Sequence, residues 1–159
     1  MNLGLLATPI AAATLLLSTL GCSKKDDDAK PAVGMGSYKL DGAAKSCQVN
    51  AFTSLGTNGG LLYDYLEIDL TTTPAPATGA EVLKLYYLKP AGQPTTAYML
   101  YDFELATNGG LYSFSSNVST LNMAIGNRYS GTFAGTANQS TPSLPYNTIT
   151  DGVFTDARL

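Results

Sequence analysis

Hydrophobic and polar residues alternate with a period of two along most of the chain after residue 37. The clearest case is 63–70, where Leu66, Ile68 and Leu70 fall on one side and Tyr63, Tyr65, Glu67 and Asp69 on the other. An extended strand sends successive side chains to opposite faces, so the first set is a candidate core and the second a candidate outer face. Segments 38–40, 45–53, 82–89, 98–105, 111–118, 121–125, 128–137, 147–150 and 153–159 read as further short strands. In 98–105 the alternation places Met99, Tyr101, Phe103 and Leu105 inward. Asp41-Gly42 and Asp151-Gly152 are hairpin-turn dipeptides, because both residues of a tight two-residue turn adopt positive φ. About ten short strands without an amphipathic helix predict an all-β domain. An antiparallel β-sandwich is expected, with a small calycin-like β-barrel as the alternative.

Thr57-Asn58-Gly59-Gly60-Leu61 recurs as Thr107-Asn108-Gly109-Gly110-Leu111. Shared turn chemistry accounts for the pair, and an internal duplication is the other reading. Segments 71–79, 90–96 and 138–147 are rich in Pro, Thr and Ser and read as surface loops, where binding residues often sit.

Composition then narrows the chemistry. The chain has 159 residues, a net charge of -3 and only 13% charged residues. Its nine basic residues form no stripe, so no nucleic-acid partner is expected. Histidine is absent, which removes Ser-His-Asp, Cys-His and HExxH sites together. No cofactor is implied. Of the two cysteines, Cys47 lies in a strand-like run, where it reads as a small buried hydrophobe or, alternatively, as a reactive thiol.

Residues 3–20 carry no charge and would nearly suffice for a membrane span of about 18 residues. The punctuation points elsewhere. Pro9 interrupts the run, Gly21-Cys22 ends it, and Ser23-Lys24-Lys25-Asp26-Asp27-Asp28 follows at once. Ser18-Thr19-Leu20-Gly21-Cys22 resembles the lipobox of bacterial lipoproteins, although Thr19 stands where Leu is usual and no Lys or Arg precedes the apolar stretch. The resemblance implies removal of residues 1–21 as a signal peptide and lipidation of Cys22 (thioether-linked diacylglycerol and palmitate). The run after Cys22 is similar to that of lipoproteins of the Bacteroidetes type, which implies an outer-membrane address, with exposure at the cell surface. An ordinary signal peptide and an uncleaved signal anchor are the alternatives. Residues 22–36 then form a flexible tether, and 37–159 a single β domain. Tyr129-Ser130-Gly131-Thr132-Phe133-Ala134-Gly135-Thr136, with Thr148-Ile149-Thr150-Asp151-Gly152-Val153-Phe154, resembles the C-terminal hairpin of small uncharacterised lipoproteins of the same group.

The candidate ligand site is the outer face of three successive strands: Tyr63, Tyr65, Glu67 and Asp69, then Lys84 and Tyr86, then Tyr98, Asp102 and Glu104. Tyrosines offer flat apolar area with a polar tip, and carboxylates accept hydrogen bonds from hydroxyls. That combination suits glycans or peptides. A solvated sheet face is the plain alternative. The same carboxylates are spaced for a glycosidase or for Ca²⁺, although no EF-hand or nonapeptide spacing is present. Asn117-Val118-Ser119 and Asn138-Gln139-Ser140 match glycosylation sequons but read as loop or strand residues. The functional expectation is a non-enzymatic, lipid-anchored module that binds glycan or surface protein or supports a larger assembly. A carrier of an apolar small ligand and a carboxylate-based hydrolase are the alternatives.

Overall fold

The structure is a computed structural model that describes residues 33–124, 126–138, 146 and 148–159. The signal segment, Cys22, the acidic run and most of the 138–147 loop lie outside the described residues. Eight strands follow one another: β1 (Gly34–Leu40), β2 (Ala43–Asn58), β3 (Leu61–Thr72), β4 (Val82–Pro90), β5 (Met99–Thr107), β6 (Gly110–Ala124), β7 (Arg128–Ala137) and β8 (Thr148–Arg158). Each pairs antiparallel with the next, and β8 returns to β1, closing a barrel. A short 3₁₀ turn, Thr95–Ala97, precedes β5. The all-β expectation holds. The ten-stranded sandwich is replaced by an eight-stranded closed barrel, so the barrel alternative is the one that fits.

The count falls from ten to eight because two pairs of expected strands fuse. Segments 111–118 and 121–124 are both within β6, which runs on without a break and carries a bulge at Asn117, where Ser116 pairs with Gly135 but Val118 with Ala134. Residues 148–150 and 153–158 of the last two expected strands join as β8, with Asp151-Gly152 inside the strand. Asp151 does take positive φ, at 53°, but the ladder continues past it, from Ile149 opposite Gly135 to Gly152 opposite Phe133. Gly152 faces inward, and a Cβ there would lie 2.4 Å from the Phe133 ring. The dipeptide therefore makes a bulge that seats an aromatic ring. Asp41-Gly42, by contrast, is a true two-residue hairpin turn with φ of 47° and 84°. β1 also begins at Gly34, within the stretch expected to be tether.

An even number of up-and-down strands places Val33 and Leu159 at the same end, together with the turns after β2, β4 and β6. We call this the terminal end. The loop end carries the turns after β1, β3, β5 and β7. Leu66, Ile68 and Leu70 point inward as expected and are fully buried, with Leu83, Leu85 and Tyr87 of β4 beside them. Phe103, Phe114, Phe133 and Phe154 fill the opposite half of the lumen in ring-to-ring contact, with centroids 5.5–6.4 Å apart. Burying each such side chain contributes about 1.5–3 kcal/mol, and together they make the barrel a packed core.

Both ends of this core are closed by an inward-facing ion pair. At the loop end Lys45 Nζ donates to Glu81 Oε2 at 2.8 Å, above a contact between the Tyr38 hydroxyl and Thr72 Oγ1 at 3.4 Å. At the terminal end the buried Lys89 ammonium pairs with Asp64 and lies 5.3 Å from the centre of the Tyr98 ring. Cys47 is a free, buried thiol. Burial pushes its pKa up to about 11, so it stays protonated and packs as a small hydrophobe.

The alternation expected for β5 is correct at Phe103 and Leu105 but not before them. Tyr86 pairs with Asp102 and Tyr87 with Leu100, so Tyr101 is an extra residue on β5. The bulge inverts the parity of everything N-terminal to it. Met99 and Tyr101, expected inside, are exposed, whereas Leu100 and Tyr98 pack on the core.

Candidate functional site

The outer wall of β2 to β5 is organised in cross-strand rows fixed by the register. Toward the loop end, Asn50, Asp69, Lys84 and Glu104 stand opposite one another in one row. The next row is Phe52, Glu67, Tyr86 and Asp102, and beyond it come Ser54, Tyr65, Leu88 and Met99. Across these three rows the wall grades from charged to aromatic and apolar toward the terminal end.

The bulge at Tyr101 gives this wall its main feature. It turns the Tyr101 ring outward between the rings of Tyr65 and Tyr86, with centroids 6.0 Å and 6.1 Å away. The Tyr65 contact is edge-on at 76°, a favourable arrangement because the positive ring edge meets the negative face. Tyr63 extends the series, 6.5 Å from Tyr65. Gly56 opposite them makes room, since a Cβ there would lie 2.8 Å from the Tyr65 ring. Tyr65, Tyr86, Tyr101, Phe52 and Glu67 surround a shallow hollow of about 250 Å³.

Of the residues expected to share this face, Tyr63, Tyr65, Glu67, Asp69, Tyr86, Asp102 and Glu104 do so. Tyr98 does not: it packs against the core beside Lys89 because the bulge reverses its orientation. Its place is taken by Tyr101, which simple alternation assigns to the interior. A bulge leaves no reliable mark in a single strand's sequence, so the residue that completes the aromatic cluster was hidden.

Lys84 organises the charged row. Its ammonium donates to Glu67 Oε1 at 2.5 Å and lies 3.6 Å from Asp69 Oδ2, while Glu104 faces it across β4–β5. The paired carboxylates raise the Lys84 pKa, the Glu67 hydrogen bond most of all. Asp69 moves the other way from an ordinary surface carboxylate. Burial first, then the neighbouring Glu67, lifts its pKa to about 6 against the pull of Lys84. Its Oδ1 is buried with no hydrogen-bond partner. The Glu104 carboxyl is also raised, by burial and by Asp102. Among the described residues no three Cys or acidic side chains converge to hold a metal ion. Glu67 and Asp69 are engaged with the Lys84 ammonium, and Asp102 with the backbone: Asp102 Oδ1 accepts from the Phe103 N–H at 2.8 Å.

A second concavity lies between β5 and β6. β5 and β6 pair only from Glu104↔Ser113 to Thr107↔Gly110, and beyond those pairs the strands diverge. A groove of about 420 Å³ opens there between Tyr98, Met99 and Leu100 on one side and Ser116, Asn117 and Val118 on the other. The Tyr87 hydroxyl reaches across its base to Ser119 Oγ at 3.3 Å. No protein-family model, no curated protein and no solved structure matches this chain, so its site is read from its own residues.

Proposed function

We propose that the chain is a lipid-anchored outer-membrane lipoprotein whose barrel captures a saccharide, or a similarly hydroxyl-rich chain, on the tyrosine wall of β3–β5, without chemical turnover. The observation that carries this reading is the contact of Tyr65, Tyr86 and Tyr101 over a hollow edged by Glu67. Sugar rings present C–H faces that pack on aromatic rings and hydroxyls that donate to carboxylates. The wall offers both within one hollow. An inner binding site for an apolar ligand is less well supported, because the lumen is occupied by the Phe103, Phe133 and Phe154 rings. The packed apolar lumen suits a barrel standing in water beside its membrane, the reverse of a lipid-embedded barrel with a polar interior.

The lipid anchor rests on Gly21-Cys22 and the charged run after it. One acyl chain binds a membrane reversibly, whereas two or more hold it stably. Retention of the protein on immobilised polysaccharides, followed across a broad glycan panel, tests the capture reading. Tyr65→Ala combined with Tyr101→Ala is expected to abolish retention, whereas Tyr98→Ala leaves it intact. Absence of retention by every glycan, or loss with Tyr98→Ala alone, overturns the assignment.

A further inference from the structure

The exposed large apolar side chains of the barrel are unevenly placed. Leu55, Leu61, Leu62, Met99 and Leu159 all stand at the terminal end, with exposures of 68%, 64%, 50%, 64% and 55%. Among the described residues at the loop end, the corresponding residue is Leu111. The β2–β3 hairpin produces most of the asymmetry. Gly34 of β1 pairs with Val49, so among the described residues β2 runs on from Asn50 to Asn58 with no β1 partner. Leu55 and Leu62 lie on the face of this overhang that would be core if neighbouring strands continued, and Leu61 lies on the other face near the turn. Leucines gathered on both faces of a projecting tip form the kind of exposed apolar patch that marks an interaction site.

The chain also enters the barrel at this end. Val33 is eleven residues beyond Cys22. At no more than about 3.6 Å per residue, the terminal end can stand at most about 40 Å from an anchor on Cys22.

We infer that the terminal end of the barrel is a membrane-docking surface. The projecting β2–β3 tip, with Leu55, Leu61 and Leu62, enters the headgroup region of the bilayer that holds the lipidated Cys22. This rests on the lipoprotein reading above. Apolar side chains inserted in this way sit about 5–10 Å deep, at the boundary between headgroups and acyl chains. The anchor supplies the encounter, since a tethered tip meets the bilayer at high effective concentration. The leucines then fix orientation, holding the tyrosine wall on the flank and the loop end outward.

The chain has no tryptophan, so single tryptophans report cleanly. Full-length protein, processed and lipidated in a bacterial host, is reconstituted into phosphatidylethanolamine–phosphatidylglycerol vesicles with or without brominated acyl chains, as Leu61→Trp or as Leu111→Trp. The expected result is blue-shifted, bromine-quenched emission for Leu61→Trp, and unshifted, unquenched emission for Leu111→Trp. Co-flotation with the vesicles while both tryptophans remain unquenched overturns docking and leaves the anchor standing. Failure to float overturns the anchor and docking together. A blue shift of Leu61→Trp without lipid, accompanied by a doubled mass in sedimentation, assigns the tip to a second copy of the chain and also overturns docking.

Discussion

The two ends of the barrel are built alike inside and differently at the rim. Each places a lysine and a carboxylate in the mouth of the lumen, Lys45 with Glu81 at the loop end and Lys89 with Asp64 at the terminal end. Such pairs close the core without exposing apolar side chains to water at the mouth. Outside the plugs the resemblance stops. The loop-end rim carries Asp41, the exposed Lys39–Asp151 pair and the Thr- and Pro-rich segment before β4. The terminal rim carries leucines. The difference teaches that core closure and surface identity are separable, since the inward-facing positions answer the first need and the projecting hairpin the second.

The strongest way to break the symmetry of the plugs is at the loop end. Glu81 is almost fully buried, so Glu81→Ala leaves a gap in the plug and the Lys45 ammonium, 19% exposed, without its partner. A loss of about 3 kcal/mol in urea unfolding is expected, at the low end for breaking a buried pair. At the terminal end, Lys89→Met keeps the packing on Tyr98 and leaves Asp64, whose side chain is 27% exposed, able to turn to water. Its cost should be smaller, about 1–2 kcal/mol by the same measurement. Equal losses at the two ends would show that the plugs do not differ in dryness.

The charged row between the ends offers a pH test. Asp69 has its pKa raised to about 6 by burial and by Glu67. Its folded value lies above the unfolded value, so its contribution to stability is greatest below about pH 4 and is lost as pH rises through about 6. Asp69→Asn is therefore expected to be more stable than the wild type by about 1 kcal/mol at pH 7.5, the loss of Lys84 pairing included. The advantage should vanish near pH 4 in thermal melts at the two pH values. The smallest effect is expected at the rim: Leu61→Ser should change unfolding free energy by less than about 0.5 kcal/mol, because the side chain is already in water. A loss of 2 kcal/mol or more there would mean that the tip serves the fold and would remove the contrast.

The alternation of Leu66, Ile68 and Leu70 was legible because a strand with one buried face writes its orientation directly into the sequence. The Asp41-Gly42 turn was legible for a similarly local reason. Asp151-Gly152 has the same two letters and a different role, decided by Phe133 on a neighbouring strand, which occupies the space that Gly152 leaves. Closure of the barrel was not legible either, since it depends on β1 meeting β8 across more than a hundred residues of chain. Most of the tyrosine wall was readable from the outward positions of β3 and β4. Its third ring was not, because one extra residue on β5 exchanges Tyr98 for Tyr101.

Eight is an even number of strands, and this has a practical consequence for anyone engineering the protein. Whatever precedes Val33 and whatever is attached after Leu159 leave from the same side of the barrel, so a C-terminal reporter would crowd the very rim that carries the leucines. Cargo meant for display belongs at the opposite mouth. The stretch between β3 and β4, residues 73–81, offers the longest fully described connection there for grafting a tag, provided Glu81 keeps its lysine.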